Sequence, residues 1–233
     1  MIDELENISP RRKAFDRAVV GAVDAAVRFV VVHWLLLVNT VSLGYTVLPV
    51  LAPLFMYWHI DWLGRLVYAI YRPACHQLPY RSFFLFGEKW VYTTRDLQAY
   101  LNPADPASLL GNTQLGFKMA FCERDFAIYG SFFLGGMIFA VLRGRLKPLP
   151  WLVYAVLIMP MAVDGFTQLL LLRESTWELR VITGMLFGFA TVWLIYPYLD
   201  RELRKSRDSS YVPGRRSDGQ EASAAERISE EPR

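Results

Sequence analysis

Four long apolar runs organise this chain, at residues 29–56, 126–142, 149–172 and 179–199. Crossing about 30 Å of hydrocarbon takes roughly 20 apolar residues at 1.5 Å of helical rise each. Each run is therefore predicted to form a transmembrane helix. Residues 58–71 are also apolar, but His59, Asp61 and Arg65 interrupt them and the stretch is too short to span. That pattern predicts an amphipathic helix at the outer membrane interface, with Trp58 and Trp62 at headgroup depth. Residues 88–116 carry Asn102-Pro103, Asp105-Pro106 and Gly111-Asn112. These turn signals predict a loop with one short helix near residues 97–101. The fold class that follows is an all-α integral membrane protein: a four-helix transmembrane bundle with an outer interfacial helix and an extracytoplasmic loop, together residues 57–125.

The ends of the chain read differently. Residues 1–28 mix charged and apolar positions without a short apolar core and cleavage site, so they predict a cytoplasmic N-terminal segment ahead of an uncleaved first span. The membrane domain runs over residues 29–200. Residues 201–233 are polar enough to predict a disordered cytoplasmic tail. Basic residues cluster before the first span (Arg11, Arg12, Lys13, Arg17, Arg28), between the second and third (Arg143, Arg145, Lys147), and after the fourth (Arg201, Arg204, Lys205, Arg207). All three clusters share one side if both termini are cytoplasmic, which orients a multi-pass protein of the cell membrane.

Composition agrees. Of 233 residues, 54% are apolar, against about 45–50% in soluble domains. The formal charge of +3 is too small to suggest a nucleic-acid partner. The bilayer is the expected one.

Candidate chemistry is concentrated in a few places. The chain has two cysteines and three histidines. Cys75 and His76 sit side by side between Pro73 and Pro79, and Cys122 stands in Cys122-Glu123-Arg124-Asp125 at the mouth of the second span. Two thiolates, an imidazole and a carboxylate form a set that zinc accepts, so Cys75, His76, Cys122 and Asp125 are candidate metal ligands. A Cys75–Cys122 disulfide and simple packing are the alternatives. His33 and His59 read as packing or interfacial residues. In the third span Asp164 and Gln168 share a helical face. An ionisable residue there costs about 2.5–3.5 kcal/mol on insertion scales and is a functional hypothesis by default. Its structural alternative is an ion pair with Arg173 or Arg180. Asp164, Gln168, Arg173, Glu174 and Arg180 are the candidate catalytic or pocket residues. Gly165, Gly184 and Gly188 read as close helix contacts. No haem attachment, P-loop, dinucleotide fingerprint, H-E-x-x-H or nucleophile elbow occurs.

The text Cys75-His76-Gln77-Leu78-Pro79-Tyr80-Arg81-Ser82-Phe83, Cys122-Glu123-Arg124-Asp125, Asp164-Gly165-Phe166-Thr167-Gln168, Arg173-Glu174-Ser175 and Arg180-Val181-Ile182-Thr183-Gly184-Met185-Leu186-Phe187-Gly188 resembles a family of small bacterial and archaeal membrane proteins classed as a domain of unknown function. The resemblance covers about residues 51–199. It implies an integral membrane protein and no established reaction. Asp125 stands where that family often has a cysteine, which weakens a thiol-exchange mechanism and is gentler on a metal site.

These residues support three functions. The first is a zinc site beside an extracytoplasmic pocket that binds or acts on a lipid-linked or anionic small-molecule ligand. The second is a small transporter or permease component coupled through Asp164, which with four spans requires a homo-oligomer or a membrane partner subunit. The third is an assembly or scaffold protein stapled by a Cys75–Cys122 disulfide.

Overall fold

The computed structural model describes residues 10–98, 100, 108–170 and 172–208. The Asn102-Pro103 and Asp105-Pro106 turns, residues 1–9 and the tail from residue 209 lie outside the described residues. The chain divides into two compact units, one of Leu35–Tyr198 and one of Met1–Trp34 with Leu199–Arg233.

The protein is mostly helical. Its helices are α1 (Pro10–Tyr57), α2 (Asp61–Tyr71), α3 (Thr94–Gln98), α4 (Glu123–Leu142), α5 (Trp151–Leu169) and α6 (Trp177–Asp208). Among the described residues, four helices are long and apolar enough to cross a membrane: α1, α4, α5 and α6. Their outward side chains include Val141, Leu152 and Leu169, each more than three-quarters exposed. Contiguous apolar surface of this kind needs cover, which hydrocarbon provides.

Two helices run past the predicted spans. Residues 10–28 continue α1 instead of forming a separate segment, and residues 201–208 continue α6 instead of joining a disordered tail. Residues 14–27 are mostly Ala, Val, Arg and Asp without glycine except Gly21, so no breaker separates them from the span. At the other end, Arg204 Nε holds Asp200 Oδ2 at 2.8 Å and Lys205 Nζ holds Glu202 Oε1 at 2.7 Å, pairs spaced to support a helix.

The connection between α1 and α4 departs furthest from the all-α expectation. It contains a three-stranded antiparallel sheet of β1 (Phe84–Leu85), β2 (Gly111–Asn112) and β3 (Gly116–Lys118), ordered β1-β3-β2. Phe84 pairs with Lys118 and Asn112 with Gly116. Strands of two or three residues are too short for alternation to reveal them. Phe84, Tyr92, Leu97 and Leu115 form the small core that α3 and the sheet share.

Prolines explain how this connection is fastened to α1. A proline inside a helix lacks the N–H that would bond the carbonyl four residues earlier. Pro49 and Pro53 therefore free the carbonyls of Tyr45 and Pro49. Each freed carbonyl has found a donor: Tyr71 Oη donates to Tyr45 O at 3.0 Å, and Ala120 N donates to Pro49 O at 3.1 Å. Around these bonds lies the main core, with Ala52 and Met56 of α1, Val67, Tyr68 and Tyr71 of α2, Phe117 of β3, and Phe121. Gly64 lets α2 approach closely, since a Cβ there would meet Met56 Sδ at 2.7 Å. The opposite face of α2 leaves Trp62, Leu66 and Ile70 exposed.

Close approach also sets α4 against α6. A Cβ on Gly184 would sit 2.9 Å from the Arg124 carbonyl oxygen, and one on Gly188 would sit 2.6 Å from Ser131 Cβ and 2.8 Å from the Ile128 carbonyl oxygen. This small-xxx-small contact places the start of α4 beside the start of α6. Gly165 differs, because its Cβ would meet only Arg124 Nη1, at 3.7 Å.

Candidate functional site

Cys75 reaches the core because α2 ends just before it. Its N–H still bonds the Tyr71 carbonyl at 3.0 Å, holding the chain against the helix terminus. Two residues on, Gln77 adopts a left-handed φ of 53°, an uncommon conformation for a residue with a side chain. Its side chain repays the strain locally, donating from Nε2 to Tyr68 O at 2.8 Å, while its own carbonyl accepts from Lys118 Nζ.

Cys122 is the N-cap of α4, its Sγ accepting from Asp125 N at 3.4 Å, and its own N–H donates to Cys75 Sγ at 3.3 Å. A helix start thus brings Cys122 and Asp125 together, and the end of α2 delivers Cys75. One donor atom from each of Cys75, Cys122 and Asp125 lies within 4.8 Å of the others. Both cysteines are free thiols. A hydrogen bond from the Cys122 thiol holds Cys75 below its ordinary pKa, while giving that bond, together with burial, pushes Cys122 up.

His76 does not join this trio. It is exposed although it lines the same cavity. Adjacent side chains diverge as the chain leaves α2, so burying Cys75 turns its neighbour outward.

Asp164, 1% exposed, lies between two arginines: Arg124 Nη2 bonds one carboxylate oxygen, and Arg173 Nη2 the other at 2.6 Å. Ser175 Oγ adds a bond of 3.0 Å. The expected Asp164–Arg173 alternative is therefore present. Arg180 instead pairs with fully buried Glu123, Nη1 to Oε2 at 2.8 Å, and its Nη2 donates to the Ser175 carbonyl at 2.6 Å. Ser175 links the two ion-pair groups. Glu174, in the α5–α6 connection, is exposed and lines neither of the two cavities at the site. Glu123 and Arg124 escaped the sequence reading as site residues. Their signal was charge balance, because Arg173 and Arg180 flank a span with a single carboxylate and leave room for a second one from elsewhere.

These groups surround a cavity of about 250 Å³. Its walls include Cys75, Cys122, Asp125, Arg81, Arg124, Gln168 and Arg180. Asp164 and Arg173 also close a largely apolar groove of about 470 Å³ along α5, lined by Val156, Met159, Pro160, Val163 and Leu179.

Lys118 stands behind the site, 3% exposed. Burial lowers its pKa to about 8, and the nearby Cys75 only partly offsets this. Below about 8 both folded and unfolded chains carry the proton, so the whole penalty applies. Between about 8 and the ordinary 10.5 only the unfolded chain keeps it, so stability rises with pH. Thermal unfolding in detergent is expected to show wild type gaining on Lys118→Met across that window, by up to about 3 kcal/mol at 1.36 kcal/mol per pKa unit. An unchanged difference between the two proteins would show that the ammonium is already solvated.

The family described as Predicted membrane protein (DUF2085) matches residues 113–194. A curated but uncharacterised protein of Methanocaldococcus jannaschii is 37% identical over 158 residues, covering 63% of this chain and 80% of that protein. The chain belongs to the DUF2085 family. It is a multi-pass membrane protein of unknown function, and no solved structure matches it. The DUF2085 match takes in Cys122, Glu123, Asp125, Asp164, Gln168 and Arg180, whereas Cys75 and Arg81 precede it.

Proposed function

We propose that this DUF2085 protein holds a zinc ion through Cys75, Cys122 and Asp125, at the wall of a pocket that receives an anionic, lipid-linked or free, ligand. The observation that carries this reading is the convergence of three donor atoms within 4.8 Å in a cavity. Around tetrahedral zinc, with Zn–S of about 2.3 Å and Zn–O of about 2.0 Å, ligand atoms sit roughly 3.3–3.8 Å apart. Small side-chain rotations suffice to close the trio to that spacing. Three protein ligands leave a fourth position for water, for the ligand, or for His76 after rotation. An open position is the arrangement in which zinc polarises a bound group or activates water.

The same reading sets the protein in the cell membrane as a four-helix bundle with both termini cytoplasmic and the pocket on the outer side. Arg143, Arg145 and Lys147 between α4 and α5 support this orientation. The exposed Trp62, Leu66 and Ile70 face supports placing α2 at the outer interface. Transport through Asp164 is less well supported, because that carboxylate is committed to two arginines and a serine.

Elemental mass spectrometry of detergent-purified protein is the test. Wild type is expected to carry close to one zinc per chain, Cys75→Ser and Cys122→Ser almost none, and Asp125→Asn an intermediate amount. Metal-free wild type prepared without chelator would sink the zinc reading. Detection of a Cys75–Cys122 disulfide in that same preparation would put the scaffold reading in its place.

A further inference from the structure

The side chains around the 250 Å³ cavity carry donors that the protein does not use. Nε of Arg81, of Arg124 and of Arg180, and Nε2 of Gln168, are all buried without a hydrogen-bond partner. Gln168 is 8% exposed and Arg180 5%, so ordinary solvent contact does not account for them. A buried donor left unmet is expensive, and all four belong to side chains that line one cavity, which points to an acceptor that enters it.

Charge narrows the acceptor. Arg124 is committed to Asp164 and Arg180 to Glu123, but Arg81 makes no salt bridge among the described residues. Arg81 is thus the wall arginine left with a charge to offer an anion, and Asp125, likewise outside the ion pairs of the described residues, is the wall carboxylate that such an anion must contend with. Shape narrows it further. The donors come from the turn at Pro79–Arg81 and from α4, α5 and α6, so they approach from several directions. A carboxylate presents two oxygens in one plane, whereas a phosphate group presents oxygens around a tetrahedron and suits the guanidinium fork.

We propose that this cavity is a phosphate-binding site, with Arg81 supplying the charge and Arg124, Arg180 and Gln168 orienting the oxygens. The inference deepens the zinc reading and rests on it in one respect. Asp125 lines the cavity and opposes an anion; zinc on Cys75, Cys122 and Asp125 would tie up that carboxylate and take a phosphate oxygen at its fourth position, the two thiolates leaving the zinc group at a net charge of −1 that Arg81 offsets. The phosphate reaches the site either free in solution or as the headgroup of a lipid. The apolar groove on the far side of the Arg124–Asp164 pair offers space for a chain in the second case.

The experiment uses the full-length, zinc-loaded protein in detergent, with two probes. Inorganic phosphate is titrated calorimetrically, and retention of phosphatidic acid against diacylglycerol of the same chains is followed by native mass spectrometry. Wild type is expected to bind at least one probe. Arg81→Gln and Gln168→Leu are each expected to weaken that binding at least tenfold with zinc content unchanged. Gln168→Leu removes a donor without altering charge, so it guards against a general failure of Arg81→Gln. Binding of phosphatidic acid alone assigns the site to a lipid headgroup, and binding of both assigns it to the phosphate group itself. No binding of either probe, or binding indifferent to both substitutions, overturns the proposal. Wild type that is zinc-free when prepared without chelator yet binds phosphate through Arg81 would keep this site and refute the zinc reading, and zinc-bound protein that ignores both probes would do the reverse.

Discussion

Asp164→Asn is expected to destabilise the protein by about 3–5 kcal/mol, the usual penalty for removing one partner of a buried ion pair. The loss comes less from the missing attraction than from what remains. Arg124, whose side chain is 19% exposed, would keep its charge in a protein-lined environment with no carboxylate to receive it. Arg173 is 41% exposed and can reach solvent, so it contributes the smaller part. Adding Arg124→Gln to Asp164→Asn should therefore recover much of the stability, while adding Arg173→Gln should recover little. Unfolding in a mixed-detergent titration gives all the required differences. A single-substitution loss under about 1 kcal/mol would mean that water already solvates the network.

The second large effect concerns a glycine. Gly188→Ala is expected to lose about 1–3 kcal/mol, as overpacking does in a tight contact, and Gly188→Leu to prevent normal assembly of the helices. The obstacle is partly backbone, because the new Cβ would stand 2.8 Å from the Ile128 carbonyl oxygen as well as 2.6 Å from Ser131 Cβ. The Glu123–Arg180 pair, which joins the starts of the same two helices, opposes their separation. Gly165→Ala is the control. Its nearest neighbour would be the end of an arginine side chain at 3.7 Å, so the gain in helix propensity of about 1 kcal/mol should prevail. Equal behaviour of the two alanine variants would contradict the close packing of α4 on α6.

The four long helices were legible in the sequence because membrane solvation demands length and apolarity from each segment independently. Their ends were not, since the helices at residues 10–28 and 201–208 continue on ordinary helix propensity after the apolar signal has stopped. The small sheet was hidden for the opposite reason: its strands are shorter than one period of a readable pattern. At the site, scarcity picked out Cys75, Cys122 and Asp125, and the structure brings these three together. The sequence also singled out His76, beside Cys75, and Glu174, within Arg173-Glu174-Ser175; both are exposed, His76 at the wall of the same cavity. Glu123 and Arg124 were missed as site residues because their partners, Arg180 and Asp164, lie 57 and 40 residues away. The helix contact at Gly184 and Gly188 makes Glu123 and Arg180 neighbours, and Asp164 reaches Arg124 from α5.

The two prolines of α1 have a consequence for how the molecule can move. Their freed carbonyls are four residues apart, so they lie little more than one turn, about 6 Å, along one side of the helix. The donors from Tyr71 and Ala120 thus engage α1 like two pins in a keyway. Turning this part of α1 about its axis by a single residue, about 100°, would disengage both pins together. Cys75 is one backbone hydrogen bond beyond Tyr71, and Cys122 is two residues beyond Ala120. Both thiols are therefore indexed to the angular setting of a single helix, and a torque on α1 would reach them before it reached the ion pairs of Asp164.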